Sequence, residues 1–326
     1  LNPLRKLAGQ TLVYGMGTIV PRLLNYFLLT PFYTRVFITG EYGVITELYA
    51  YMAFLLVLLT YGMETAFFRF AQKEPDQKKV FSTSLISLLF TSSLFLVLVF
   101  IFNQPIASLI QYGDHPEYIT MFSIIVALDA FTAIPFAYLR HKNKALRFSV
   151  IKIVNVVVNV ALNFFFLWLA PKMLAHNPES WVLMVYDPSI GVGYAFIANL
   201  ISSGIMLLML LPDILGIKAI LDKDLLRRML RYAFPLLIVG LAGMVNEVAD
   251  KIIFKFLLIV PATEPDPEAY AMSQLGIYGA AYKLSVLMTL FIQMFRYAAE
   301  PFFFAQMKEE NAKQVYADVM KYFIIF

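Results

Sequence analysis

Apolar runs long enough to cross a bilayer recur eight times along this chain. They lie at residues 11–33, 44–68, 81–102, 118–139, 151–170, 190–211, 232–260 and 275–304, and the start of a ninth opens near 318. About 20 mostly apolar residues, rising about 1.5 Å each as helix, span the ~30 Å hydrocarbon core. Backbone N–H and C=O groups inside hydrocarbon must bond within the protein, so runs of this length leave helix as the spanning structure. Composition agrees: 60% of residues are hydrophobic, 15% are charged and mean hydropathy is +0.71, values foreign to an ordinary soluble domain. The expected fold class is an all-α polytopic membrane protein.

Several chemistries are not expected. Cysteine is absent, which removes disulfides and thiol metal sites. His115, His141 and His176 share no ligand spacing, so no metal site is expected. Neither a hydrolase nor a transferase motif is present, nor a Gly-x-x-x-x-Gly-Lys-Ser/Thr phosphate loop, so neither direct nucleotide use nor a cofactor is expected. The net charge of +4 follows from where the basic residues sit, and no nucleic-acid partner is expected.

That placement sets the orientation. With a cytoplasmic N-terminus, 19 of the 26 Lys and Arg fall on the cytoplasmic side and only Arg35 and Lys172 on the other. The remaining five, Arg22, Lys251, Lys255, Lys283 and Arg296, lie inside spans. An excess of Lys and Arg in cytoplasmic loops sets topology. The chain opens Leu1-Asn2-Pro3, without methionine, and stops inside an apolar run. It is expected to be a fragment of a longer protein.

Charges within spans carry the functional signal, because an ionisable side chain at mid-bilayer costs about 2.5–3.5 kcal/mol on insertion scales. Arg22 stands at the centre of span one between Pro21 and Pro31, on a polar stripe with Gly15, Thr18 and Asn25. It is expected to face a watery cavity or to pair with Asp129, also at mid-depth in span four. Asn155, Asn159 and Asn163 form a ladder on span five with Lys152, suited to helix–helix hydrogen bonding or to sugar contact. Span seven holds Asn246, Glu247, Asp250, Lys251 and Lys255, with Glu247 and Lys251 spaced as an i,i+4 pair. Span eight holds Lys283, Arg296 and Glu300; Glu47 of span two is a candidate partner for Lys283.

An internal repeat is also visible. Shifted by 236, residues 42–70 overlie 278–306 without a gap, matching Tyr42/Tyr278, Gly43/Gly279, Tyr61/Tyr297, Glu64/Glu300, Phe67/Phe303 and Phe68/Phe304. Parallel repeats are a transporter architecture. The expected organisation is an N-terminal lobe of six spans at 1–211, a basic cytoplasmic linker at 212–231, and the start of a C-terminal lobe at 232–326.

Particular motifs carry a family likeness. Pro21-Arg22-Leu23-Leu24-Asn25-Tyr26, Gly40-Glu41-Tyr42-Gly43, Tyr61-Gly62-Met63-Glu64, Arg231-Tyr232-Ala233-Phe234-Pro235 and Gly276-Ile277-Tyr278-Gly279 resemble bacterial oligosaccharide flippases. These form the polysaccharide-export (O-antigen) branch of the multidrug/oligosaccharidyl-lipid/polysaccharide exporter superfamily. The resemblance implies two six-helix lobes rocking around a central cavity in the bacterial inner membrane. It implies an undecaprenyl-pyrophosphate-linked oligosaccharide moved from the cytoplasmic to the periplasmic leaflet for surface polysaccharide, including lipopolysaccharide. Membrane lipids, a polysaccharide polymerase and glycosyltransferases are further expected partners. Arg22, Lys283 and Arg296 match the positions thought to hold the pyrophosphate; Asn25, Asn155 and Asn159 are the candidate sugar contacts. Glu47, Asp129, Glu247, Asp250 and Lys251 are candidates for ion coupling or pairing. The alternatives are an ion-coupled multidrug exporter, a peptidoglycan-precursor flippase, and a membrane polymerase or ligase. The short outer loops argue against that enzyme reading.

Overall fold

A computed structural model describes residues 17, 19–177 and 180–306, with the backbone alone at 287 and 289–306, and positions 314, 317 and 321. The basic lead-in at 4–7, Gly15 and Thr18 of the polar stripe, the side chains of Arg296 and Glu300, and the ninth run fall outside the described residues. By their contacts the residues divide into two units, 1–280 and 281–326. The protein is an all-α polytopic membrane protein. Six helical segments among the described residues are long and apolar enough to cross a bilayer.

In the first unit, span one ends as α1 (Thr30–Val36) and span two is α2 (Thr39–Thr60) followed by α3 (Met63–Lys73). Span three is α4 (Gln77–Ile101), with the short α5 (Asn103–Leu109) in the loop after it, and span four is α6 (Pro116–His141). Span five is α7 (Ala145–Phe164) continued by α8 (Ala170–His176); span six is α9 (Gly193–Leu215) and span seven α10 (Lys223–Leu257). Helix α11 (Pro267–Gln306) begins in the first unit, and the second unit takes it up from Ala281.

Three spans depart from plain α-helix, each for a local reason. Span one carries a π turn at Asn25–Leu29 just before Pro31, and span five one at Phe165–Leu169 just before Pro171. A proline ring collides with the carbonyl four residues earlier. Here those carbonyls belong to Phe27 and Leu167, in the middle of each π turn, where the wider i→i+5 ladder makes room. Span two was expected to run unbroken over 44–68. It starts earlier and breaks at Tyr61 (φ 35°) and Gly62 (φ 71°), both left-handed. Glycine adopts that conformation freely, and Tyr61 holds it with a 2.6 Å hydroxyl contact to Ser87 Oγ.

The bundle is built around α6. Of its most apolar window 61% is buried, against 22% for α4, and it packs on α2, α3, α4, α5, α7 and α9. One apolar core lies towards the α2 N-terminus, around Leu48, Ile119, Ile125 and Phe196. A second gathers Phe67, Phe81, Leu88 and Ile134 with Leu225, Met229 and Ala233 of α10. The amphipathic half of the expected linker is therefore continuous with span seven, as the first turns of one 35-residue helix. Asp222 caps it, accepting from the Leu225 N–H at 2.9 Å.

Ion pairs at this basic end tie loops to helices. Asp213 holds Lys144 at 3.1 Å and Arg147 at 2.7 Å. Arg228 meets Glu74 at 2.8 Å, and Arg140–Glu64 and Lys79–Asp222 are further pairs. Lys152, counted above with the cytoplasmic loop, lies two turns inside α7 with its ammonium 4.0 Å from the centre of the Phe136 ring. Its stem and a ring face shelter the charge there.

Candidate functional site

Two buried opposite charges meet where α2 and α10 touch. Glu47 sits two turns into α2, and Lys255 in the last turn of α10. Their side chains are 0% and 2% exposed, and Lys255 Nζ lies 2.9 Å from Glu47 Oε1. At that distance the two form a buried ion pair. The other oxygen, Oε2, accepts the Tyr112 hydroxyl at 2.8 Å. Lys255 donates to the Ile110 carbonyl at 2.6 Å and rests 4.9 Å from the Tyr112 ring centre. Tyr51 presents its hydroxyl to the same carboxylate.

Close backbone packing surrounds this cluster. Cβ atoms built on Gly43 and Gly276 would stand 2.1 Å from the Met272 carbonyl oxygen and 1.8 Å from that of Thr39. One on Gly279 would stand 2.4 Å from Thr46 Oγ1. Thr39 Oγ1 and Ser273 Oγ are 2.6 Å apart. Small residues let membrane helices approach at backbone distance. The start of α2 and the start of α11 therefore lie directly against each other.

A turn away on α10, Lys251 bonds Asp250 Oδ1 at 3.0 Å and the Glu247 carbonyl at 2.8 Å. Asp250 also accepts the Tyr278 hydroxyl. Lys251 thus turns to its neighbour Asp250 and to the Glu247 backbone. Ring stacking of Phe254 on Tyr278, at 5.5 Å, fixes α10 against α11 beside it.

A second charged group joins α6, α7 and α9. Asp129 accepts the Ser203 hydroxyl at 2.9 Å and attracts Lys152. Lys152 in turn feels Glu64, Arg140 and Arg22. Lys152 and Ser203 are thus the neighbours of Asp129, and Arg22 belongs to the same electrostatic neighbourhood. Arg22 and Asn25 are exposed at the surface of span one. On span five, Asn155 is half-buried. Asn159 and Asn163 are buried, and Asn163 donates to Asn159 Oδ1 at 2.8 Å and accepts the Tyr33 hydroxyl at 2.7 Å. That end of the ladder joins span five to span one.

The expected residues therefore fall in separate places. Glu47 belongs to the α2–α10 cluster; Glu247, Asp250 and Lys251 lie one to two turns earlier on α10; Asp129 and Arg22 share the Lys152 neighbourhood. Lys283, half-buried, belongs to the second unit, and Glu47 takes Lys255 as its cation. Sequence reading passed over Tyr112, in a loop with no span signal, and did not join Glu47 to Lys255. Opposite charges at the same depth of two spans were the available clue. Among the described residues no three His, Asp or Glu are grouped to hold a metal.

No curated protein and no solved structure matches the chain. A model of the family described as polysaccharide biosynthesis protein matches residues 7–307, from before span one to the end of α11. With charge buried along its spans and the family match covering nearly its whole length, this chain belongs to the polysaccharide biosynthesis protein family.

Proposed function

We propose that this protein is a flippase that moves an undecaprenyl-pyrophosphate-linked oligosaccharide from the cytoplasmic to the periplasmic leaflet by alternating access. In this reading residues 1–211 form one lobe and 232–326 begin the second, in a bacterial inner membrane with the N-terminus cytoplasmic. Family membership supports the polysaccharide part. The observation that carries the transport part is Arg22, mid-span yet exposed on its helix. Facing hydrocarbon there would cost about 2.5–3.5 kcal/mol; facing a water-filled chamber removes that cost. A guanidinium presents paired donors to phosphate oxygens. Arg22 would hold the pyrophosphate with Lys283 and Arg296, while Asn25, Asn155 and Asn159 contact sugar. The lipid tail stays in the bilayer throughout, so the chamber need only enclose the polar head.

The test is reconstitution into vesicles with a fluorescent lipid-linked oligosaccharide, following its arrival in the opposite leaflet. Arg22→Ala is expected to abolish flipping while the protein still inserts and remains monodisperse. Flipping at the parental rate in Arg22→Ala would remove Arg22 from the mechanism. Efflux of cationic drugs from the same vesicles, with no lipid movement, would move the protein to the multidrug branch.

A further inference from the structure

We propose that Glu47, Lys255 and Tyr112, together with the glycine-packed contact of α2 and α11, form a two-state lock that closes the end of the bundle opposite the basic loops. This rests on the two-lobe reading above, in which Glu47 belongs to the first lobe and Lys255 to the second.

The argument begins from what a buried ion pair cannot explain. Such a pair is a poor device for stability, because desolvating both charges offsets their attraction, and well-packed apolar side chains would serve as well. Its distinctive property is how it responds to separation. In contact, Glu47 and Lys255 satisfy each other, with Tyr112 and the Ile110 carbonyl taking up remaining valences. Fully parted and wet, each is solvated by water. Partly parted and still dry, each is an uncompensated buried charge, the costliest arrangement of the three. Two stable positions separated by a penalised one is the behaviour required of a switching element.

The surrounding packing suits that motion. At Gly43, Gly276 and Gly279 the helices meet without a glycine side chain between them, so α2 and α11 can part without unthreading interlocked side chains there. Thr39 and Ser273 add one hydroxyl pair across the same contact. All of these features sit at one end of α2, and Tyr112 of the adjoining loop reaches over the ion pair. The expected outward step parts Glu47 from Lys255 and admits water between them.

These 326 residues hold no cysteine, so a thiol introduced among them is directly readable in vesicles. Thr46, buried against Gly279, becomes the probe as Thr46→Cys, labelled by a membrane-impermeant maleimide without any substrate present. Labelling then tracks how often the lock opens. Glu47→Gln or Lys255→Met, each leaving one partner of the pair behind, is expected to speed labelling on the order of a hundredfold. The double variant Glu47→Gln/Lys255→Met removes both charges and keeps an acceptor for Tyr112; it is expected to recover most of the protection. Single variants that label as slowly as the parent, or a double variant that labels as fast as the singles combined, would overturn the lock. Should the singles fail to accumulate, the double variant against the parent remains decisive: labelling a hundredfold faster than the parent would also overturn it.

A second arm separates the lock from the transport reading. Thr39→Cys/Ser273→Cys is expected to form a disulfide on oxidation that stops oligosaccharide flipping and is reversed by dithiothreitol. The same pair is then combined with the Thr46→Cys probe. If oxidation protects the probe thiol but flipping continues, the lock stands and the flippase reading fails. If oxidation forms the bond and the probe thiol labels as before, the lock fails.

Discussion

Gly276→Ala tests the closeness of α2 and α11. An added methyl would begin 1.8 Å from the Thr39 carbonyl oxygen and 3.0 Å from the Gly43 nitrogen, while ordinary contact starts at 3.4 Å. Both neighbours are backbone, so no side chain can swing aside, and the helices must separate by about 1.6 Å at this point. Overpacking of this kind costs on the order of 1–3 kcal/mol, and the displacement should also break the Thr39–Ser273 contact. At roughly 2–4 °C per kcal/mol for a domain of this size, the melting temperature in detergent should fall by several degrees. Gly204→Ala is the internal control: it lies within α9 with nothing inside 4 Å of the new methyl. There alanine should leave the melt unchanged or raise it, since glycine is the poorer helix former. Both variants are read by fluorescence-detected thermal melts of the purified full chain. A Gly276→Ala protein that melts with the parent would refute the backbone approach and weaken the packing half of the lock.

Two other outcomes follow from single bonds. Tyr33→Phe removes the hydroxyl that Asn163 accepts across spans one and five, and should lower stability by about 1 kcal/mol; an unchanged melt would mean the Asn ladder does not join those spans. Asp222 is held below the ordinary carboxylate range, first by the Leu225 N–H and then by Lys79. A depressed folded-state value means the contribution is present above the ordinary pKa of about 3.9 and is lost as pH falls through and below it. Melting curves between neutral and acid pH should therefore fall less steeply below about pH 4 in Asp222→Asn; parallel curves would show that the cap plays no part in acid sensitivity.

Hydropathy is a one-dimensional property, and sequence determined what depends on it. Each spanning run is apolar along its own length, so membrane class and the presence of long apolar helices follow from local composition. Charges inside spans were equally visible, because each stands against an apolar background. The family likeness was legible in short motifs. Local exceptions were less legible: Pro31 lies in span one, but a proline alone does not say whether a helix kinks or widens into a π turn, and span five, expected to end at 170, runs on as helix through Pro171 to His176. Span two was expected to run through Tyr61 and Gly62; the break there, with Tyr61 bonded to Ser87, was not read from the sequence.

Pairing was decided by tertiary structure alone. The repeat set Lys283, of the second unit, opposite Glu47; within the first unit nothing in the sequence chose between Lys251 and Lys255 for Glu47. Its partner is Lys255 because α10, running from its basic first turns, brings its last turn beside the second turn of α2. Tyr112 joins them from a loop 65 residues away from Glu47 in sequence. Burial depends on what lies across the gap between helices, and the identity of that neighbour is set by packing around α6, which no single span encodes. Sequence thus determined that this protein carries charge into a membrane; only the folded bundle decided which of those charges meet out of water.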